Sequence, residues 1–258
     1  MATLIDYILH LADTTLILSQ RNSEWCGHGP VLEQDIAITN ISLDLLGQSR
    51  NFYQYAAELI NELKPFSGAE KADENTLAYL RQEREFKNLL LVEQPNGDWG
   101  QTILRQYLFS QFQYLLFEQL QHHSNEQLSG IAAKSLKEIK YHLRWSSEWV
   151  IRLGDGTAES NRRMKDALQV LWPYTGEMFM PAAYEKILNI PVGLLKEEWG
   201  KKVEAVLDEA TITASLKPGG VSNTFMHSGG KAGVHTEQLG YILAELQYIH
   251  RAYPGSEW

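Results

Sequence analysis

A carboxylate and an imidazole three residues apart on a helix, repeated on a second helix, form the core of a di-iron carboxylate centre. Two further helices then supply one carboxylate each. Two segments of this chain have the setting of such ligand helices: Asp44-Leu45-Leu46-Gly47-Gln48 and Lys137-Glu138-Ile139-Lys140-Tyr141-His142. Where the pattern asks for Glu-x-x-His, the first reads Leu45-x-x-Gln48 and the second Ile139-x-x-His142. The scaffold signal is present and most of the ligands are absent. The expectation is a partner protein that kept the fold and gave up the chemistry.

Asp44 and Glu138 are near misses, each one residue before a ligand position. One residue on a helix is a rotation of about 100°. Neither carboxylate can point where its neighbour points unless the helix winds differently. Glu138 and His142, four residues apart, share a face and suit a hydrogen-bonded pair better than a metal. Buried Arg21, Arg50 or Arg144 would need acids such as Asp44 or Glu138, so ion pairs are one way to fill the space of the metals. His28 beside Glu24 suggests a second metal pair, but Gly27 and Pro30 place it at a helix end, where a capping role is the commoner use.

The loop Ser228-Gly229-Gly230-Lys231-Ala232-Gly233 resembles a phosphate cradle only superficially. It lacks the GxxxxGK[ST] spacing and a preceding strand. A demanding turn docked on the bundle or on a partner is expected; a CoA phosphate at the following helix N-terminus is the alternative. Trp25, Trp145, Trp149, Trp172 and Trp199 read as core or interface anchors.

Helical periodicity supplies the elements that must position these residues. A first helix runs to about Glu24, and a second from about Val31 to Leu63, after Pro30. A polar connection over residues 65–98 carries a short helix around Thr76–Val92 and a turn at Pro95-Asn96-Gly97-Asp98. A third helix covers about Gly100–His122 and a fourth about Asn125–Leu153, stopped by Gly154-Asp155-Gly156. Further helices follow over 157–210, broken by Pro173, Pro181 and Pro191. Then come a glycine-rich loop over Leu216–Gly233 and a last helix over about His235–Ala252. No strand alternation or internal repeat stands out. The expected fold is all-α: one domain over residues 1–258, a four-helix bundle with additional C-terminal helices.

The 258 residues, 44% hydrophobic, suffice for one sizeable core. A net charge of −9 without a basic stretch disfavours nucleic acid. The single Cys26 excludes an internal disulfide and fits a reducing compartment, as a structural thiol rather than a nucleophile. The start, Met1-Ala2-Thr3-Leu4-Ile5-Asp6, has no basic region ahead of its apolar residues and does not read as a signal peptide. Apolar runs such as Leu89-Leu90-Leu91-Val92 are too short to span a bilayer. A soluble, cytoplasmic protein is expected.

Several motifs in order carry a family resemblance: Leu18-Ser19-Gln20-Arg21-Asn22-Ser23-Glu24-Trp25-Cys26-Gly27-His28, Leu43–Gln48, Leu90-Leu91-Val92-Glu93-Gln94-Pro95-Asn96-Gly97, Lys137–Arg144 and Gly229–Gly240. Together they resemble the structural C (beta) subunits of bacterial ring 1,2-phenylacetyl-CoA epoxidases, over nearly the whole chain. The resemblance implies a ferritin-like bundle that pairs with a paralogous A subunit. In that family the A subunit holds the di-iron centre and binds phenylacetyl-CoA. A small B subunit and a flavin/iron–sulfur reductase fed by NADPH complete the system, which uses O₂ to epoxidise the aromatic ring.

Aligning the catalytic paralogue's motif on Trp25, Pro30 and Gly47 puts its ligand positions at Thr15, Leu45, Gln48, near Ser110, Ile139 and His142. A di-iron site needs about four carboxylates and two imidazoles; this set retains one imidazole. Thr15, Gln48, Ser110 and His142 would then form a hydrogen-bonded remnant, with Asp44 and Glu138 as polar or ionic replacements. No cofactor and no catalytic residue is expected in this chain. Two alternatives stand beside this reading: a di-iron oxidase with an unusual ligand set of Asp44, Glu138 and His142, and a free-standing helical binding protein. A homodimer is a further arrangement for the chain alone.

Overall fold

The computed structural model describes residues 1–63, 71–213 and 225–256. The described residues are helical without a strand: α1 (Ala2–Ser23), α2 (Leu32–Leu63), α3 (Glu74–Tyr79), α4 (Leu90–Glu93), α5 (Trp99–Leu120), α6 (Glu126–Gly154), α7 (Ala158–Leu171), α8 (Ala183–Ile187), α9 (Leu195–Glu209), α10 (Glu237–Leu246) and α11 (Tyr248–Ala252). Two long helices, a long connection and two more long helices make up the element order of a ferritin-like chain, as expected.

Packing gathers these elements into two units. The first holds Met1–Glu93, Ala182–Ile190 and Gly229–Trp258. Its axis is the pair α1 and α2, joined by a short turn. Ser19 and Ser42 tie the pair: Ser19 donates to the Ser42 carbonyl at 2.8 Å and Ser42 to that of Ser19 at 2.7 Å. Both helices are apolar where they meet, with Ile8, Ile17, Leu18, Ile38, Ile41 and Phe52 fully buried. α1 is long and apolar enough to cross a membrane by length and composition, but 78% of that stretch is buried within the protein. Its apolarity serves the core.

The second unit holds Gln94–Pro181 and Pro191–Ser228, built on α5 and α6 with α7 and α9 against them. Side chains around much of α5 are buried, including Ile103, Leu104, Tyr107, Leu108 and Phe112. Caps start its helices where the sequence places acceptors. Asp98 accepts from the Gln101 amide at 2.9 Å, Asn125 from Leu128 at 2.8 Å and Thr157 from Ser160 at 3.1 Å. Trp199 of α9 donates its indole hydrogen to the Leu108 carbonyl at 3.1 Å.

Three expectations need correction. The single helix over Thr76–Val92 is two short helices, α3 and α4, separated by a 3₁₀ turn at Glu83–Glu85 and an extended stretch. Residues 86 and 89–93 are buried rather than forming a polar surface connection. The helix over His235–Ala252 starts at Glu237 and breaks at Gln247 into α10 and α11. The glycine-rich loop lies partly outside the described residues; its described end forms a 3₁₀ turn at Gly230–Ala232.

Candidate functional site

Of the six positions expected to correspond to iron ligands, Thr15, Leu45 and Gln48 lie on α1 and α2 of the first unit, all at most 2% exposed. Thr15 spends its hydroxyl on its own helix, donating to the Leu11 carbonyl at 2.9 Å with Ala12 at 3.1 Å. Leu45 packs as a core residue. In the second unit Ser110, Ile139 and His142 lie on α5 and α6, all fully buried. Ser110 accepts from Gln106 Nε2 at 2.8 Å, one turn earlier on α5. Ser146 donates to the His142 carbonyl at 2.7 Å. Thr15 and Ser110 thus each find a hydrogen-bond partner on their own helix.

Asp44 and Glu138 are half-buried, whereas Leu45 and Ile139 beside them are sealed. The 100° rotation does what the sequence argument requires. Arg21 reaches Glu24 at 3.0 Å and the Glu93 carbonyl at 2.8 Å, Arg50 reaches Glu74 at 3.2 Å, and Arg144 is exposed. Exposed His28 contacts the Cys26 carbonyl at 3.2 Å, as a turn residue would. Cys26 is a free, exposed thiol. Among the described residues, no three His, Cys, Asp or Glu side chains stand together in a way that could hold a metal ion.

Buried charge gathers elsewhere in the first unit, on Asp13, Arg81, Glu93 and Glu185, which were not singled out from the sequence as a site, and on Lys231 of the glycine-rich loop. Asp13 of α1 is fully buried and accepts from both guanidinium nitrogens of Arg81, from the Tyr53 hydroxyl at 2.6 Å and from the Lys87 amide at 2.8 Å. Burial acts against the Arg81 cation, but the Asp13 charge outweighs it and holds the guanidinium protonated. Glu185 of α8, also sealed, pairs with Lys231 at 2.9 Å. Glu93 of α4 accepts from Asn88 at 2.8 Å, from the Thr236 amide at 2.9 Å and hydroxyl at 2.6 Å, and contacts His235 at 2.6 Å.

These pairs fix the glycine turn. Lys231 is 5% exposed and its ammonium is committed to Glu185, so it offers no phosphate ligand. Gly233 takes φ +79°, and a Cβ there would stand 2.3 Å from the Arg84 carbonyl oxygen. The turn lies directly on the backbone of residues 84–90, the docked arrangement expected from its glycines. The faint signals for this network were a lone acid in the apolar run Leu90-Leu91-Val92-Glu93 and an acid at position 13 inside an apolar helix.

One more surface carries information. Leu32, Ile36, Leu43 and Leu46 of α2 are exposed, and with Thr39 and Arg50 they recur at alternating spacings of three and four. Gly47 beside them has open space where a Cβ would stand. A helix normally turns its polar face to water; this one presents a narrow apolar seam.

The model of a family described as phenylacetic acid catabolic protein matches residues 1–258. The chain is also 45% identical over 263 residues to the C subunit of 1,2-phenylacetyl-CoA epoxidase from Escherichia coli strain K12, covering 100% of both sequences.

Proposed function

The chain belongs to the phenylacetic acid catabolic protein family, and on that premise we propose that it is the non-catalytic structural component of a cytoplasmic, multicomponent phenylacetyl-CoA 1,2-epoxidase. Its role is to pair with and stabilise the di-iron A subunit. Through that pairing it joins an assembly with a small B subunit and a flavin/iron–sulfur reductase. The full-length likeness to the C subunit of an epoxidase supports the assignment.

The observation that carries the non-catalytic role is the donor set at the six ligand positions: Thr15, Leu45, Gln48, Ser110, Ile139 and His142. An iron pair needs several carboxylates to balance its charge and bridge the metals. This set contains none, and Leu45 and Ile139 occupy their places with alkyl groups. These residues do not fit the metal. The apolar seam on α2 supports a role within an assembly, since exposed apolar surface of this kind marks a protein interface.

The test is metal counting after anaerobic Fe(II) loading, followed by co-expression with the A subunit and size-exclusion chromatography. The expected result is no stoichiometric iron in this chain and a stable complex at micromolar concentration. Two irons per chain with an oxo-bridged absorption band would favour a di-iron oxidase in its own right. Failure to associate would remove the assignment to the epoxidase assembly.

A further inference from the structure

His235 sits immediately before α10, with a side chain sealed from solvent. Its Nδ1 stands 2.6 Å from Glu93 Oε1 and its Nε2 2.9 Å from the Phe86 carbonyl oxygen. A neutral imidazole has one N–H and one lone pair, so it can satisfy only one of two acceptors. A proton on Glu93 instead of the ring would be poorly placed, because that carboxylate already accepts from Asn88 and twice from Thr236. The ring therefore carries both protons.

We propose that His235 is the pin of an alkali-sensitive strap: its doubly protonated ring fastens Val234–Leu239, the entry to α10, onto the first unit, and loss of one ring proton unfastens it. The charges acting on the ring are Glu93 of α4 and Asp13 of α1, the latter paired with Arg81; the 3₁₀ turn at Glu83–Glu85, which also packs against α10, brings Glu83, Arg84 and Glu85 to the same region. Burial acts to lower the ring's pKa, but the bond to Glu93 and its charge outweigh this and raise it above the ordinary value of 6.5.

The sign follows from linkage. A histidine with a raised folded pKa contributes stability that is fully present below 6.5 and is lost as pH rises through the folded pKa. Above it, one ring nitrogen turns a lone pair toward Glu93 or toward the Phe86 carbonyl. The earlier part of the turn stays fixed, since Gly230–Ala232 is held separately by Lys231 on Glu185 and by Tyr184 Oη donating to the Lys231 carbonyl at 3.1 Å. Opening is thus confined to the residues after Gly233, whose left-handed backbone forms the pivot.

The experiment is amide exchange and imidazole ¹⁵N resonance on the full chain from pH 6 to 9.5, corrected for intrinsic exchange. The Thr236 amide, bonded to Glu93, should lose protection about tenfold per pH unit above the ring's pKa. The Ala232 amide, bonded to the Gly229 carbonyl, should keep its protection. Glu93→Gln should lower the ring's pKa and move the loss of protection with it. A ring carrying a single proton at pH 6, or Thr236 protection unchanged while the ring titrates, would overturn the proposal; the wild-type protein alone decides both.

Discussion

Tyr53 donates its phenolic hydrogen to Asp13 Oδ1 at 2.6 Å, across the buried contact between α2 and α1. The same oxygen also receives Arg81, so one carboxylate joins the two long helices of the first unit to the connection that follows them. Burial, followed by the charge of Asp13, raises the Tyr53 pKa well above its ordinary value, and the phenol stays a donor. Asp13→Ala should therefore cost about 3–5 kcal/mol, because it strands a buried guanidinium. Tyr53→Phe should cost less, about 1.5–3 kcal/mol for one bond to a charged group. Urea unfolding of the two variants checks the order as well as the size.

His10 gives a pH dependence of opposite sign to that of His235. It is sealed in α1, with Nδ1 donating to the Lys87 carbonyl at 2.7 Å. Burial, reinforced by the Lys231 charge, pushes its pKa down to about 4. The folded protein keeps this ring neutral while the unfolded chain protonates it below 6.5. Its contribution is intact above 6.5 and is lost as pH falls toward 4, by roughly 3 kcal/mol in all. Chemical denaturation at pH 7, 5.5 and 4.5 should show this loss, and His10→Gln should flatten it.

Gly233→Ala should destabilise the protein by about 1–3 kcal/mol, since the backbone is left-handed there and the added methyl meets the Arg84 carbonyl oxygen. Gly47→Ala on exposed α2 should be stabilising by up to about 1 kcal/mol in the isolated chain. If a partner's backbone packs closely there, the same change should weaken the complex. Thermal melts of the chain and of the complex separate the two effects.

The apolar seam of α2 predicts an association phenotype. Leu43→Glu lies on an exposed face and should leave folding of the isolated chain within about 0.5 kcal/mol of wild type. It should lower affinity for the A subunit by tenfold or more, as measured by titration in an analytical ultracentrifuge. Unchanged affinity would place the contact on another face.

His142→Ala should leave turnover of the assembled epoxidase within several-fold of wild type, apart from stability. One imidazole without carboxylates cannot assemble an iron pair. Loss of turnover by orders of magnitude in a normally assembled complex would assign His142 a chemical role.

The long helices and their limits to within a residue or two were legible in the chain itself, as was the lack of carboxylates at the six positions aligned with iron ligands. Apolar periodicity, capping residues and residue chemistry at a fixed spacing are local properties. Leu45 and Ile139 cannot bind iron in any fold. The stretch from Phe86 to Glu93 was not legible, because its burial depends on partners 70 or more residues away in sequence, such as Thr14, Asp13 and His235. The buried pairs share this character. Asp13 looks like any helix acid until Arg81 and Tyr53 close on it, and Lys231 looks like a phosphate ligand until Glu185 claims it. A charge enters a core only when its counter-charge arrives with it. That meeting is a property of the packed chain, so only the tertiary structure decides where the charges of this protein reside.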